Sequence, residues 1–148
     1  MKIKRSIMFN QMSGKLFREL AEDIAEKFPE ESELCSGNKD TLNYIGKLKK
    51  LKIVKFPFYN RKSKFTRVVS WLIFICFSFI KMIFAPKNTL IIIATNPPLI
   101  TIVTWLVFKI RKLPYVILVY DIYPDVLIKF KVFKERSIVA RIWRFLNK

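Results

Sequence analysis

The chain contains no histidine and only two cysteines, Cys35 and Cys76. The absence of histidine excludes an imidazole general base and removes one of the usual zinc ligands, so we do not expect a zinc site. We also expect no bound cofactor. Cys76 lies inside an apolar run, where a thiol packs as a small core residue. Two such cysteines do not make a disulfide framework, and a reducing cytoplasm is then the default compartment.

Two further signals are absent. The three glycines do not form G-x-G-x-x-G, the loop typical of dinucleotide-binding domains. The apolar stretch at the N-terminus is too short for the central region of a secretory signal peptide. We therefore assign these first residues to a strand of the fold.

Acidic residues are scarce after residue 40. The first 40 residues hold eight acids and seven bases, whereas the rest of the chain holds three acids and 21 bases. This excess of positive charge attracts phosphate on lipid headgroups, nucleic acids or nucleotide-sugars. The bases are interspersed with Phe, Ile and Trp, and no known nucleic-acid motif is present, so the pattern favours an anionic bilayer over nucleic acid.

The hydropathy pattern predicts a single α/β domain over residues 1–148. This length can bury a core, and the 52% apolar content argues against long-range disorder. Short apolar runs predict strands at 3–9, 33–35 and 51–58, and helical spacing predicts an amphipathic helix over 15–28. The polar residues 38–50 are expected to be loop.

A βαβ unit is the most organised part of the sequence. Thr89–Ala94 and 115–120 are continuous apolar runs, as is typical of parallel strands buried on both faces. A helix is predicted over 97–112, with Asn96 as its cap and Pro97 at its first position. The two strands should be adjacent and parallel, within one Rossmann-like sheet flanked by helices.

The run 68–85 holds one charge, Lys81, in 18 residues. Three interpretations stay open: a buried helix, a transmembrane helix at the lower length limit for about 30 Å of hydrocarbon, or a helix in the membrane interface. The expected membrane contacts are Arg61, Lys62, Lys64, Arg67 and Trp71.

Three polar segments follow predicted strands and should line one crevice at the carboxyl edge of the sheet. They are 10–14, 95–98 and 121–125. Gly14 permits close approach of a ligand to backbone, or is an ordinary turn glycine. Asp121 could deprotonate a sugar hydroxyl, or cap a helix. Tyr123 could stack on a sugar or pack against the membrane.

The βαβ unit also resembles a known family. Thr95-Asn96-Pro97-Pro98, followed by a helix, an apolar strand and Asp121-Ile122-Tyr123-Pro124-Asp125, resembles the N-terminal domain of family 4 glycosyltransferases. The most similar subset comprises the WbuB-like enzymes that build bacterial surface polysaccharides. Ser13-Gly14 before a helix is similar to the family's first loop.

The resemblance implies the N-terminal half of a GT-B fold, which is metal-independent and holds the acceptor, often a lipid-linked sugar. A C-terminal domain binds the nucleotide-sugar donor. Gly14, Thr95, Asn96, Asp121 and Pro124 would face the cleft. We expect an incomplete enzyme, either a gene fragment or one subunit of a split enzyme with a separate donor-binding subunit, on the cytoplasmic face of the cell membrane.

Two other functions stay open. One is a small integral membrane protein with helices near 68–85 and 90–110. The other is an inactive interaction module that retains the fold.

Overall fold

The computed structural model describes residues 2–43, 50–60, 62–97 and 99–120, with Lys64 described by its backbone alone. The chain divides into two units, Met1–Leu118 and Val119–Lys148. The fold below belongs to the first unit. Of the second unit, only Val119 and Tyr120 are described, and both are exposed.

Strands and helices alternate along the described residues. The strands are β1 (Arg5–Phe9), β2 (Ser32–Ser36), β3 (Leu51–Lys55), β4 (Thr89–Ala94) and β5 (Tyr115–Leu118). The helices are α1 (Lys15–Glu26), α2 (Lys39–Leu42), α3 (Lys64–Ile83) and α4 (Ile100–Arg111).

The five strands of the described part form one parallel sheet in the order β3-β2-β1-β4-β5. Ile7 of β1 is in register with Glu33 of β2 on one side and with Ile91 of β4 on the other. β4 and β5 pair in parallel, and α4 connects them. The predicted α/β class, the Rossmann-like parallel sheet and the βαβ unit are therefore confirmed.

Helices cover both faces of the sheet. Alternate side chains of a strand point to opposite faces, so neighbouring residues of β1 show which helices lie on which face. Ile7 and Phe9 belong to a core that contains side chains of α3 and α4. Met8, between them, belongs to a core that contains side chains of α1. Hence α1 lies on one face, and α3 and α4 lie together on the other.

The structure corrects the predicted start of α4. Asn96 is not its cap: the helix begins at Ile100, its cap is Leu99, and no side chain caps its first turn. A turn precedes the helix instead, in which the Ile100 amide donates to the Pro97 carbonyl at 3.2 Å. The peptide bond between Asn96 and Pro97 is cis.

Other boundaries shift by a few residues. β1 begins at Arg5, β2 covers Ser32–Ser36, β3 ends at Lys55 and β5 ends at Leu118, while α1 ends at Glu26. The segment 38–50 was predicted to be loop, but α2 begins it, because the Asn38 side chain accepts the Asp40 amide at 3.0 Å and caps that helix.

Candidate functional site

The strand order places a topological switch point between β1 and β4, and we call the space between the loops that follow these two strands the crevice. From β1 the chain moves through α1 to β2 in one direction, and from β4 it moves through α4 to β5 in the other. Because α1 and α4 lie on opposite faces, the loops that follow β1 and β4 diverge at the carboxyl edge. Ligands of open α/β sheets bind at such a switch point.

The loop after β1 is held by buried polar side chains. The Asn10 side-chain carbonyl accepts the Met12 amide at 3.1 Å, which closes a tight turn. Gln11 is fully buried, and its amide nitrogen donates to the carbonyls of Ser70 at 3.0 Å and Pro57 at 3.3 Å. This one side chain therefore ties the crevice loop to α3 and to the segment after β3.

A second polar cluster supports the other side of this loop. The Ser13 hydroxyl lies 2.6 Å from Ser36 Oγ and 2.9 Å from Thr41 Oγ1, and the Thr41 hydroxyl donates to the Ser13 carbonyl at 2.6 Å. Asn38 donates to that same carbonyl at 2.9 Å. These bonds join the carboxyl ends of β1 and β2 and fix the position of the residue that follows, Gly14.

Gly14 is the N-cap of α1, and no side chain caps this helix. A Cβ atom at Gly14 would have no described atom within 4 Å, and its φ of −89° suits any residue. Packing within the described residues therefore does not require glycine here. The position leaves open space in front of the amides of α1, as a ligand-facing glycine would.

The opposite wall of the crevice is formed by the turn after β4. Thr95 is buried, and its amide donates to the Leu118 carbonyl at the end of β5 at 3.1 Å. Asn96, which is half-buried, follows in the turn. Gly14, Thr95 and Asn96 thus lie on the two loops that flank the switch point.

The other predicted site residues are only partly described. Asp121, Tyr123, Pro124 and Arg61 lie outside the described residues, as does the side chain of Lys64. Lys62 and Arg67 are exposed near the start of α3. Trp71 is half-buried and stacks on Tyr59, with ring centroids 6.0 Å apart.

The basic start of α3 shares an edge with the crevice. α3 follows the carboxyl end of β3 and leads back to the start of β4, so its N-terminus lies at the carboxyl edge. The N-termini of α1 and α4 lie at the same edge, since each follows the end of a strand. Each such helix terminus carries about half a positive charge, so the edge favours an anionic ligand.

α3 exposes an apolar face. The segment Phe65–Ile83 is long and apolar enough to cross a membrane by length and composition. Phe74, Ile75, Ser78 and Met82 are buried towards the sheet. The side chains exposed between 65 and 84 are apolar or Cys76, except Arg67; the large ones are Phe65, Val68, Leu72, Ile73, Phe77, Phe79, Ile80 and Phe84.

α4 extends this surface. It contacts α3, and the Arg111 guanidinium donates to the Ala85 carbonyl just after α3 at 3.1 Å. Its exposed large apolar residues are Trp105, Leu106 and Ile110. Lys109 lies over the Trp105 ring, 5.4 Å from its centroid. We call the exposed apolar side chains of α3 and α4 together the apolar face.

Each of these two helices has a hydroxyl side chain that points inward. Buried Ser78 donates to the Phe74 carbonyl and buried Thr104 to the Ile100 carbonyl, both at 2.8 Å. Each hydroxyl is satisfied four residues back along its own helix, so burial costs it no hydrogen bond. The exposed face of α3 is apolar, which departs from the usual amphipathic pattern of a surface helix in a soluble protein.

Lys81 also points inward. Its ammonium lies 2.6 Å from a carboxylate oxygen of Glu33 on β2, whose other oxygen is 3.6 Å from Arg5. Cys35 lies two residues after Glu33 on the same face of β2 and is buried. Its burial, and to a smaller extent the negative charge of Glu33, raises the pKa of its thiol well above the usual value. The one charge of the apolar run therefore anchors α3 to the sheet.

Comparison of the chain with protein-family models, curated proteins and solved structures finds no match. Among the described residues, no three His, Cys, Asp or Glu side chains are grouped to hold a metal ion.

Sequence reasoning assigned 10–14 to the crevice but missed the contacts of Gln11 and Ser13 and the apolar face of α4. The serines in the apolar run were a usable signal for α3: Ser70 and Ser78 are eight residues apart and so share a helix face, which is the buried one. No sequence pattern identifies Gln11, because its partners are carbonyls of residues 57 and 70.

Proposed function

We propose that this chain is the acceptor-binding half of a GT-B glycosyltransferase that lies on the cytoplasmic face of a membrane and holds a lipid-linked sugar acceptor. The observation that carries the proposal is the position of the switch-point crevice at the same edge as the basic start of α3 and beside the apolar face. A lipid-linked acceptor requires this combination, since its sugar and phosphates must leave the bilayer while its chain stays within it.

Catalysis would form a bond between an acceptor hydroxyl oxygen and the anomeric carbon of a nucleotide-sugar, with the nucleoside diphosphate as the leaving group. By the family resemblance, Asp121 would take the hydroxyl proton. Gly14, Thr95 and Asn96 would orient the acceptor, and a donor-binding domain would complete the cleft.

An interfacial position of α3 is favoured over a spanning one. To span, α3 would have to leave the sheet and uncover core side chains such as Phe9 and Ile93, at about 1.5–3 kcal/mol for each large side chain. It would also separate Lys81 from Glu33 and place an ammonium in hydrocarbon. If α3 lies flat in the membrane interface, the core stays covered and the ion pair between Lys81 and Glu33 stays intact.

The integral membrane alternative required a helix near 90–110. The structure has β4 and α4 there instead, separated by a turn. An α4 of 12 residues is also too short to cross about 30 Å of hydrocarbon.

Vesicle flotation tests the proposal. Three vesicle types are compared: neutral lipid, neutral lipid with phosphatidylglycerol, and neutral lipid with a polyprenyl-diphosphate-linked sugar. Binding to phosphatidylglycerol should fall in 1 M salt, where the Debye length is about 3 Å. In the same salt, binding to vesicles with the sugar-linked lipid should fall less, because the sugar and diphosphate of this lipid make specific contacts in the crevice.

Gly14→Ser is the matched variant, because its added side chain occupies the crevice and leaves the apolar face unchanged. It should weaken only the acceptor-dependent binding. Equal binding to vesicles with and without the sugar-linked lipid would contradict acceptor recognition. Retention on vesicles in alkaline carbonate would contradict an interfacial position and indicate a spanning helix.

A further inference from the structure

An apolar groove of about 280 Å³ lies between the segment after β3 and the first half of α3. Its lining includes Pro57, Phe58, Phe65, Val69, Ser70 and Ile73. Phe58 is 61% exposed and Phe65 is 77% exposed, so two large apolar side chains stand at its rim without a described partner to cover them. The volume is slightly below the roughly 300–1,000 Å³ of small-molecule sites.

The walls of the groove are held in place. Gln11 donates to carbonyls of both walls, Pro57 and Ser70. The Asn60 amide donates to the Ser70 hydroxyl at 3.2 Å, and Tyr59 stacks on Trp71. The backbone of both walls is therefore held in place without a ligand, which lowers the ordering cost of binding.

The groove is tied to the crevice loop through one side chain. Gln11 belongs to the loop after β1, which forms one wall of the crevice, and it donates to the backbone carbonyls of two groove residues, Pro57 and Ser70. On the other side, Phe65 and Ile73 belong to the apolar face as well as to the groove. The exposed cations Lys62 and Arg67 are on the same segment, 62–67, as the groove residue Phe65.

We propose that this groove holds the first part of the hydrocarbon chain of the phosphate-headed acceptor lipid, which leaves the bilayer at the apolar face and carries its phosphates towards the crevice. This rests on the proposed function for the identity of the lipid. The occupant follows from charge complementarity and chemistry: an apolar slot excludes sugar and phosphate, while Lys62 and Arg67 attract a phosphate.

Photocrosslinking in vesicles tests the groove directly and without a sugar donor. One probe is a polyprenyl phosphate with a diazirine near the phosphate end of its chain. The other is phosphatidylglycerol with a diazirine at the same depth of an acyl chain. The full chain is bound to vesicles that contain either probe, irradiated, and mapped for labelled peptides.

The polyprenyl probe should label residues 57–73, and excess unlabelled phosphatidylglycerol should not displace it. Val69→Trp, which fills the groove, should lower this labelling by about tenfold, equivalent to about 1.4 kcal/mol. Ile80→Trp is the matched control, because Ile80 lies on the exposed face of α3 and does not line the groove. It should leave labelling within about twofold.

Two results would overturn the inference: equal labelling of residues 57–73 by both probes, or labelling by the polyprenyl probe outside this segment only. If Val69→Trp does not fold, Phe65→Ala decides, since its side chain is exposed and its removal should lower labelling without unfolding the chain. Groove labelling together with no sugar transfer even when a donor-binding domain and nucleotide-sugars are supplied would contradict the proposed function and leave the groove assignment intact.

Discussion

Two glycines at the carboxyl edge of the sheet have different structural environments. A Cβ atom on Gly37 would lie 2.3 Å from the Pro57 carbonyl oxygen and 2.6 Å from Phe58 Cα, so the loops after β2 and β3 approach each other only because this residue has no side chain. Gly14 has open space instead. Gly37 is therefore required by packing, and Gly14 is available for a ligand.

Substitution of these glycines should separate folding from binding. Gly37→Ala should lower the free energy of unfolding by about 3 kcal/mol or prevent folding, because the clash is with backbone. Gly14→Ser should leave it unchanged or raise it by a few tenths of a kcal/mol, roughly the gain expected from a serine N-cap. Urea denaturation followed by circular dichroism measures both, and equal destabilisation would contradict the distinction.

The ion pair of Glu33 and Lys81 should contribute measurably to stability. Glu33 is 12% exposed and Lys81 is 35% exposed, which places the pair between a surface and a buried one. Glu33→Ala should lower the free energy of unfolding by about 2 kcal/mol, because it leaves Lys81 and Arg5 without their counter-charge.

Glu19→Ala is the control for this prediction, since Glu19 pairs with Lys15 on the surface of α1. Its effect should stay within about 0.5 kcal/mol in the same denaturation experiment. A Glu33→Ala effect no larger than that of the control would show that the pair does not anchor α3.

At the scale of secondary structure elements, sequence periodicity predicted the positions of those elements that have a clear pattern of apolar residues. α1 has a charged face and an apolar face, and β4 is a β-branched run buried on both faces, so both were located to within two residues. The one charge of the apolar run, Lys81, did not mark the outer face of α3, because it pairs with Glu33 on the sheet. Ser70 and Ser78 mark the buried face. The predicted start of α4 at residue 97 was wrong, because a turn lies between β4 and the helix, which begins at Ile100.

The interfacial position of α3 can be tested with a native residue. Cys76 is exposed on the apolar face, whereas Cys35 is buried and its raised pKa keeps the thiol neutral, so a thiol-reactive fluorophore should label Cys76 alone. Emission of an environment-sensitive dye at Cys76 should shift to the blue when anionic vesicles are added, because the dye enters hydrocarbon.

The control places the dye on the opposite face of the sheet. A chain with Cys76→Ser and Glu19→Cys carries it on exposed α1, where vesicles should cause no shift. A shift of equal size at both positions, or at neither, would contradict docking through the apolar face.

At the scale of the whole molecule, the described residues provide a parallel sheet with a switch point between β1 and β4 at its carboxyl edge. Of the three polar segments that the sequence predicted at this edge, those after β1 and β4 lie there, because the carboxyl ends of parallel strands share one edge, and 121–125 lies outside the described residues. The sequence did not predict the groove beside them, which depends on contacts between residues 11, 57 and 70 that are distant in the chain. Asp121 lies outside the described residues, so its catalytic role stays a prediction.

Sugar transfer on vesicles tests the central claim most directly. These 148 residues are bound to vesicles that contain lipid-linked acceptors and are incubated with a panel of nucleotide-sugars, with and without a donor-binding GT-B domain as a second polypeptide. Positioning of both substrates supplies much of the rate, so turnover should appear only when the second polypeptide is present. Asp121→Asn should then lower it by roughly 100-fold or more, as expected for loss of a general base, and a change below about twofold would remove Asp121 from that role. Robust transfer by these residues alone, or none with any donor-binding domain, would contradict the assignment as an acceptor-binding half.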